Sequence, residues 1–267
     1  MRRQTRDVNR NLILAAMCLA LATVVSAVSS LNVAIPDIAR DLRATQTQLQ
    51  WIIDGYAVVF AGLLLLGGAL GDALGRKHLL LAGLVIFSGA AWAALFVDSP
   101  AGLIAVRAVM GLGAAAIMPA TLSIITNVFP EGERDRAVAV WAGVAGGSAL
   151  LGLLVSGILL EIFAWQSIFG FAGVLGLVAL AATYAVAPNS TAERVRLDTV
   201  GGIASALGLA SLVYAIIEGP ERGWTDSVTL IAFGAAAVLL VAFVVWELRR
   251  PQPLLDPRLF RLRGFSA

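Results

Sequence analysis

Residues Gly68 to Lys77 read GALGDALGRK, a short charged turn between two long apolar runs at about 49–70 and 78–97. Small residues in such a turn let two helix ends approach closely. Asp72 can compensate the positive end of a neighbouring helix, and Arg76 and Lys77 can bridge to acids on helices that move. We interpret Gly68, Asp72, Gly75, Arg76 and Lys77 as a charged cytoplasmic latch between two membrane helices.

The composition requires lipid as the solvent for most of the chain. Of the 267 residues, 59% are hydrophobic and 13% are charged, whereas a soluble globular protein has about 25% charged residues. Apolar runs of about 20 residues recur, and each is long enough to cross the hydrocarbon core. A helix satisfies its own backbone hydrogen bonds in lipid. The sequence therefore predicts an all-α polytopic membrane protein.

Charged residues, Pro and Gly separate these runs into eight predicted helices, at about 12–34, 49–70, 78–97, 101–125, 136–160, 165–187, 199–218 and 228–246. The polar stretch PNSTAERVRL is the clearest internal boundary. It divides the chain into a six-helix N-terminal domain at 1–187, a cytoplasmic linker at 188–197, an additional helix pair at 198–247 and a basic cytoplasmic tail at 248–267.

The basic residues predict the orientation. One side of the membrane receives most of them, in the clusters at 2–10, 76–77, 134–136, 194–196 and 249–263, whereas the other receives only Arg40, Arg43 and Arg222. The side rich in Arg and Lys is cytoplasmic by the positive-inside rule, so both termini are expected inside. Arg-dominated basic residues with abundant Ala, Gly, Leu and Val suit a GC-rich bacterial genome, and we expect a bacterial inner membrane.

Several functional classes are disfavoured. The basic clusters lie between apolar segments, without a basic face on a soluble domain, so nucleic acid is not an expected partner. The phosphate-binding pattern G-x-x-x-x-G-K-[ST] and a hydrolytic triad are both absent from the sequence, and His78 has no companion at metal-ligand spacing. We expect no enzyme activity, no cofactor and no metal site.

Two charged residues lie more than one turn inside the ends of predicted helices, where a charge is costly and usually functional. Arg107 lies in the fourth helix, and Asp54 lies at a similar depth in the second. We hypothesise that they form an ion pair and that protonation of Asp54 releases Arg107, although a purely structural pair or a snorkelling Arg107 is the alternative.

The latch resembles the major facilitator signature G-x-L-a-D-r-x-G-r-k, with matches at Gly68, Leu70, Asp72, Gly75, Arg76 and Lys77. The segment around Arg107 resembles the fourth-helix pattern l-x-x-x-R-x-x-q-G-x-g-a-A of the same superfamily, in which the Arg is linked to proton coupling. The first-helix signature of drug exporters with 14 helices is matched at Asn32, Ala34 and Pro36, with Ala27 at the position of the family's acid.

The fifth helix, WAGVAGGSALLGLLVSGILLE from Trp141 to Glu161, is similar to the antiporter signature of this family, with Leu153 in place of Pro and Ser156 in place of Gly. Its small residues predict close packing against another helix, at Gly143, Gly147, Gly152 and Gly157. The resemblance also implies a cavity for small amphipathic molecules, with Asn32, Trp51 and Tyr56 as candidate lining residues.

The resemblance implies the N-terminal half of a 14-helix drug:proton antiporter. Substrate would bind between two repeat-related halves, so this chain alone is expected not to transport without a second half or a second copy. The expected partners are a small-molecule substrate, protons and the lipid bilayer. Two alternatives stay open, namely a truncated transporter without activity of its own, and a non-transporting membrane partner of another protein.

Overall fold

The computed structural model describes residues 9–188 and 198–250. In these ranges the chain forms eight long helices and no strand, and all eight are long and apolar enough to cross a membrane. The helices are α1 Arg10–Asp41, α2 Gln46–Leu74, α3 Arg76–Ala93, α4 Pro100–Val128, α5 Glu131–Ile162, α6 Gln166–Val186, α7 Thr199–Arg222 and α8 Ser227–Arg249. The prediction of an all-α chain with eight apolar helices is confirmed.

Most helices extend beyond their apolar runs because polar residues continue or cap them. Helix α1 continues through Pro36 to Asp41, and α2 begins with a capping box in which Thr45 and Gln48 satisfy each other's backbone N–H groups. Between α2 and α3 the chain turns at Gly75, whose φ of 94° lies in the region that favours glycine. A single residue thus separates these two helices.

Helix α4 lies at the centre of the packing. It contacts α2 along one side and α3 along the other, while α1 packs against α5, α6 and α4. Small residues permit the closest approach: a Cβ atom added at Gly83 of α3 would lie 2.8 Å from the carbonyl oxygen of Gly113 in α4. Such backbone contact is typical of membrane helices, where shape rather than hydrophobicity drives association.

Helix α7 packs along α2, and α8 packs along α7. At mid-height, a Cβ added at Gly62 would lie 3.3 Å from the Cβ of Ala206, and one turn nearer the latch the side chain of Leu66 lies against Gly202. The last two helices are thus attached to the rest of the bundle mainly through α2.

Long-range contacts join helix ends at both ends of the bundle. At one end Arg10 lies 3.4 Å from Glu133, and at the other the Trp165 indole donates a hydrogen bond to Asp41, 2.7 Å away. The starts of α1 and α5 therefore meet at one end of the bundle, and the end of α1 meets the start of α6 at the other. The predicted linker and basic tail lie almost wholly outside the described residues.

Candidate functional site

Arg107 is, with Glu247, one of the two most deeply buried charged residues in the described part of the chain, with 1% of its surface exposed. Its Nε donates a hydrogen bond to the carbonyl oxygen of Ile52 in α2, 3.1 Å away, and its Cζ lies 4.4 Å from the centre of the Tyr56 ring. Both contacts come from one turn of α2. Arg107 therefore faces the α2–α4 contact and is enclosed within the helix bundle.

The hypothesised ion pair between Asp54 and Arg107 is not formed among the described residues. Ile52 and Tyr56 face α4, and Asp54 is displaced from Ile52 by about 200° around the helix, at about 100° per residue. Asp54 is half-buried on the side of α2 away from α4, and it has no ion pair or hydrogen bond with another described residue. Asp54 and Arg107 therefore do not pair, because Asp54 faces away from α4 although the two residues lie at a similar depth.

The three candidate cavity residues lie in different environments. Asn32 is exposed on α1, and its amide donates to the carbonyl oxygen of Val28. Trp51 faces α7, and Tyr56 is 2% exposed within the core. The structure places only Asn32 of the three on an open surface.

Trp51 belongs to an outer contact between α2 and α7 that the sequence did not reveal. Its indole donates to Glu218, 2.9 Å away, and its ring lies 5.9 Å from that of Tyr214. Glu218 also accepts a hydrogen bond from Arg222 at 2.8 Å, and Thr47 contacts Glu221 one turn farther out. Glu218, the last residue of the predicted helix at 199–218, lies within α7 because that helix continues through Pro220 to Arg222.

The latch residues bind helix ends. Asp72 and Arg76 form an i,i+4 ion pair at 2.9 Å, and Arg76 also donates to the carbonyl oxygen of Ser123 near the end of α4, at 3.4 Å. Lys77 donates to the carbonyl oxygens of Tyr184 and Ala187 at the end of α6, at 3.0 and 2.7 Å. Lys77 satisfies carbonyl groups that the end of α6 leaves unpaired, whereas the Ser123 carbonyl oxygen also accepts from the Thr126 and Asn127 side chains.

The two latch glycines differ. Gly75 supplies the positive φ of the turn, whereas a Cβ at Gly68 would meet no atom within 4 Å. Of these two glycines, the geometry of the described chain requires only Gly75.

The four candidate packing glycines of α5 also divide into two groups. A Cβ at Gly152 would lie 2.6 Å from the carbonyl oxygen of Ser26, so this glycine permits the α1–α5 contact. A Cβ at Gly143, Gly147 or Gly157 would meet no described atom within 4 Å. Packing at those three positions requires a partner outside the described residues, and it stays a prediction.

Hydroxyl groups add a contact between α1 and α5 beside Gly152. The Ser156 hydroxyl lies 3.1 Å from the carbonyl oxygen of Ser30 and 2.8 Å from that of Gly152, and the Ser30 hydroxyl donates to Gly152 at 3.2 Å. Ser156 stands where the resembled signature has a Gly, and Leu153 where it has a Pro. Accordingly, α5 is one continuous helix that is hydrogen-bonded to α1 at this point.

Comparison with known proteins identifies the fold family. The family model described as Major Facilitator Superfamily matches residues 16–246. The methylenomycin A resistance protein of Bacillus subtilis (strain 168) is 34% identical over 241 residues, covering 90% of this chain and 52% of that protein. The puromycin resistance protein pur8 of Streptomyces alboniger is 38% identical over 239 residues, covering 88% and 47%.

The cephamycin export protein CmcT of Amycolatopsis lactamdurans is 35% identical over 252 residues, covering 92% of this chain and 52% of its own. Among solved structures, a peptide transporter POT in complex with sulfate superposes with a TM-score of 0.67 at 17% identity, covering 94% of this chain and 54% of the other. The similarity at this identity concerns the fold alone. The chain spans about half the length of the curated relatives it matches.

Proposed function

Because the chain is a multi-pass membrane protein that belongs to the Major Facilitator Superfamily, we propose that it supplies the N-terminal half of a proton-coupled exporter of drugs or other small amphipathic compounds. The observation that carries this proposal is the similarity to resistance and export proteins over about nine tenths of the chain. The family is one of transporters, so the protein is not an enzyme. Alternating access would move the substrate across the membrane.

A second half is part of the proposal because transporters of this kind bind substrate between two repeat-related halves. The face of α5 that carries Gly143, Gly147 and Gly157 is open, which suits contact with such a half. Another polypeptide or a second copy of this chain would provide it. The exposed amide of Asn32 on α1 is a candidate substrate contact on this half.

The proposed organisation keeps the division at the 188–197 linker, with six helices before it and an additional pair after it. The attachment of α7 and α8 mainly through α2 supports this division. The distribution of Arg and Lys supports cytoplasmic termini in a bacterial inner membrane. In this orientation the latch and its contacts with α4 and α6 lie on the cytoplasmic side.

For proton coupling we propose separate roles for the two intramembrane charges. Asp54 is half-buried and faces away from α4, so it is the group that a proton can reach and neutralise. Arg107 is a fixed cation between α2 and α4. Protonation of Asp54 would remove a negative charge from α2, and α2 is the helix that carries both contacts to Arg107 and ends in the latch.

The test is export from an efflux-deficient bacterium that expresses the chain, alone and together with the C-terminal half of one of its curated relatives. Accumulation of ethidium and survival on puromycin would be measured with and without a protonophore. We expect lower accumulation that the protonophore abolishes, and loss of this effect with Asp54→Asn at equal membrane abundance. Asp37→Asn, which changes an exposed ion pair at the end of α1, is the matched control.

Two results would contradict the proposal. Accumulation equal to that of the empty vector in both settings would remove the exporter assignment and favour a non-transporting partner protein. Export that persists unchanged in Asp54→Asn would retain the exporter and remove Asp54 from coupling.

A further inference from the structure

Arg107 is buried without an acid. Among the described residues no carboxylate lies within ion-pair distance of it, and its Nη1 atom is buried without a hydrogen-bond partner. A cation in the membrane interior is costly unless another group compensates it. Arg107 has five N–H donors, and the Ile52 carbonyl oxygen accepts from only one of them. A further source of stabilisation is therefore required.

The ring of Tyr56 is positioned to supply that stabilisation. The face of an aromatic ring carries negative charge density and attracts a cation within about 6 Å, most strongly where water is excluded. The guanidinium carbon of Arg107 lies 4.4 Å from the ring centre. Both residues are almost wholly buried, so water does not screen the attraction.

The ring itself is held in place on α2. Phe60, one turn along the helix, stacks on Tyr56 with ring centres 6.1 Å apart. Gly111 of α4 lies so close to the Tyr56 carbonyl oxygen that an added Cβ would be 2.5 Å from it. The Tyr56 hydroxyl is buried and has no hydrogen-bond partner among the described residues, which indicates that the ring and not the hydroxyl fixes the side chain.

We propose that Tyr56 is the positioning residue for Arg107, and that its aromatic ring holds the guanidinium between α2 and α4 where an acidic partner would otherwise do so. The inference rests on the proposed function, in which Arg107 takes part in coupling. A neutral ring holds the cation without neutralising it. The charge of Arg107 therefore stays available to a group that becomes negative elsewhere in the transport cycle.

The test measures the accessibility of Arg107 directly. The full chain, purified in detergent, is treated with phenylglyoxal, an arginine-specific reagent, and the modified fraction of each arginine is measured by mass spectrometry. Arg40, whose side chain is 78% exposed, is the internal reference. We expect Arg107 to be strongly protected relative to Arg40 in the unaltered chain and in Tyr56→Phe, which keeps the ring.

Removal of the ring should release Arg107. Tyr56→Leu and Tyr56→Met are expected to raise its modification several-fold relative to Arg40, because Met fills the space without an aromatic face. Phe87→Leu, which removes a buried ring of α3 that packs beside Gly113 of α4 and contacts neither Tyr56 nor Arg107, controls for general loosening. Thermal unfolding, measured by tryptophan fluorescence, identifies any variant that does not fold. If Tyr56→Leu does not fold, the modification of Arg107 in Tyr56→Met tests the inference.

Protection that persists in folded Tyr56→Met would overturn the inference, as would equal release in Tyr56→Phe, since the hydroxyl would then be the holding group. None of these readings requires transport. In cells, the inference also expects Tyr56→Phe to retain the pH profile of export and Tyr56→Met to lose it. Absent export with a protected Arg107 would reject the proposed function and leave the role of Tyr56 intact.

Discussion

Gly111 in α4 lies directly against the carbonyl oxygen of Tyr56 in α2, so close that a Cβ atom at position 111 would sit 2.5 Å from that oxygen. Backbone atoms on both sides prevent adjustment by a simple rotamer change. This contact brings α2 near enough for Tyr56 to cover Arg107, whose Cζ is 4.4 Å from the ring centre. The backbone contact at Gly111 and the ring contact of Arg107 therefore require the same short distance between α2 and α4.

We predict that Gly111→Ala destabilises the chain by about 1–3 kcal/mol, the usual cost of overpacking a core. Gly68→Ala in α2 is the matched control, because its added methyl would meet nothing within 4 Å. Thermal unfolding in detergent checks both. Equal midpoints for the two variants would show that α2 and α4 are farther apart than described.

Ser156→Ala should destabilise the chain by on the order of 1 kcal/mol, since it removes a buried hydrogen bond from α5 to Ser30 of α1. Ser148 provides the control on the same helix. Its hydroxyl donates only to the carbonyl oxygen of Val144 within α5, so Ser148→Ala should cost less. The same unfolding assay decides, and the opposite order would contradict the interhelical role.

The packing of α7 on α2 predicts a specific disulfide. A Cβ added at Gly62 would lie 3.3 Å from the Cβ of Ala206, so a shift of a few tenths of an ångström would bring the pair into the range of about 3.5–4.5 Å found in disulfides. In a Cys18→Ser background, Gly62→Cys with Ala206→Cys should form a bond on mild oxidation. Gly68→Cys with Ala206→Cys should not, because Gly68 lies about 9 Å farther along α2 at 1.5 Å per residue.

A protease site inserted into the 188–197 linker makes this bond visible on a gel. After cleavage, the two fragments should remain joined without reductant only in the 62–206 pair. Separation of the fragments in that pair would mean that α7 does not dock on α2 in the membrane.

Asp198 predicts how the α7–α8 contact responds to acid. Burial raises the pKa of its carboxyl, but hydrogen bonds from the Gly201 N–H and the Trp246 indole, together with the Arg250 guanidinium, outweigh burial and lower the pKa below its usual 3.8. A folded-state pKa below the unfolded-state value stabilises the fold above the unfolded-state pKa. This stabilisation is lost as the pH falls through the folded-state pKa.

Asp198→Asn keeps an oxygen that can cap α7 but has no carboxylate to titrate. The variant should therefore be less stable than the unaltered chain near neutral pH, and the difference should shrink in acid. Unfolding midpoints from about pH 7 to about pH 3 measure this. A difference that is constant across the range would remove the ionised carboxylate as the cause.

The open glycine face of α5 predicts a separation between stability and assembly. Gly143→Leu, Gly147→Leu and Gly157→Leu should leave the unfolding midpoint of the isolated chain unchanged, because no described atom lies within 4 Å of the added Cβ. They should weaken co-purification with a second half or with a differently tagged copy. Unchanged co-purification would show that these glycines do not form the contact between the two halves. A lower unfolding midpoint would show that they pack within this chain instead.

The sequence by itself determined the number of helices, their order and the two sides at which they end. Length and hydropathy are sufficient for this because a backbone in lipid must satisfy its own hydrogen bonds, and about 20 apolar residues are needed to cross. It also located the charged turn, since GALGDALGRK interrupts two apolar runs. These properties follow from the local composition of each segment and do not depend on which helices pack against each other.

The tertiary structure decided how each helix is rotated, and hence which side chains meet. A membrane helix carries apolar side chains on all of its faces, so hydropathy does not show which face points inward. The inward face is instead set by small residues that allow close contact between helices. Gly55 and Gly111 turn α2 so that Tyr56, two residues from Asp54, covers Arg107. Each position in a helix adds a rotation of about 100°, so the two positions between Asp54 and Tyr56 amount to about 200°, and this rotation separates the acid from the cation that the sequence had paired.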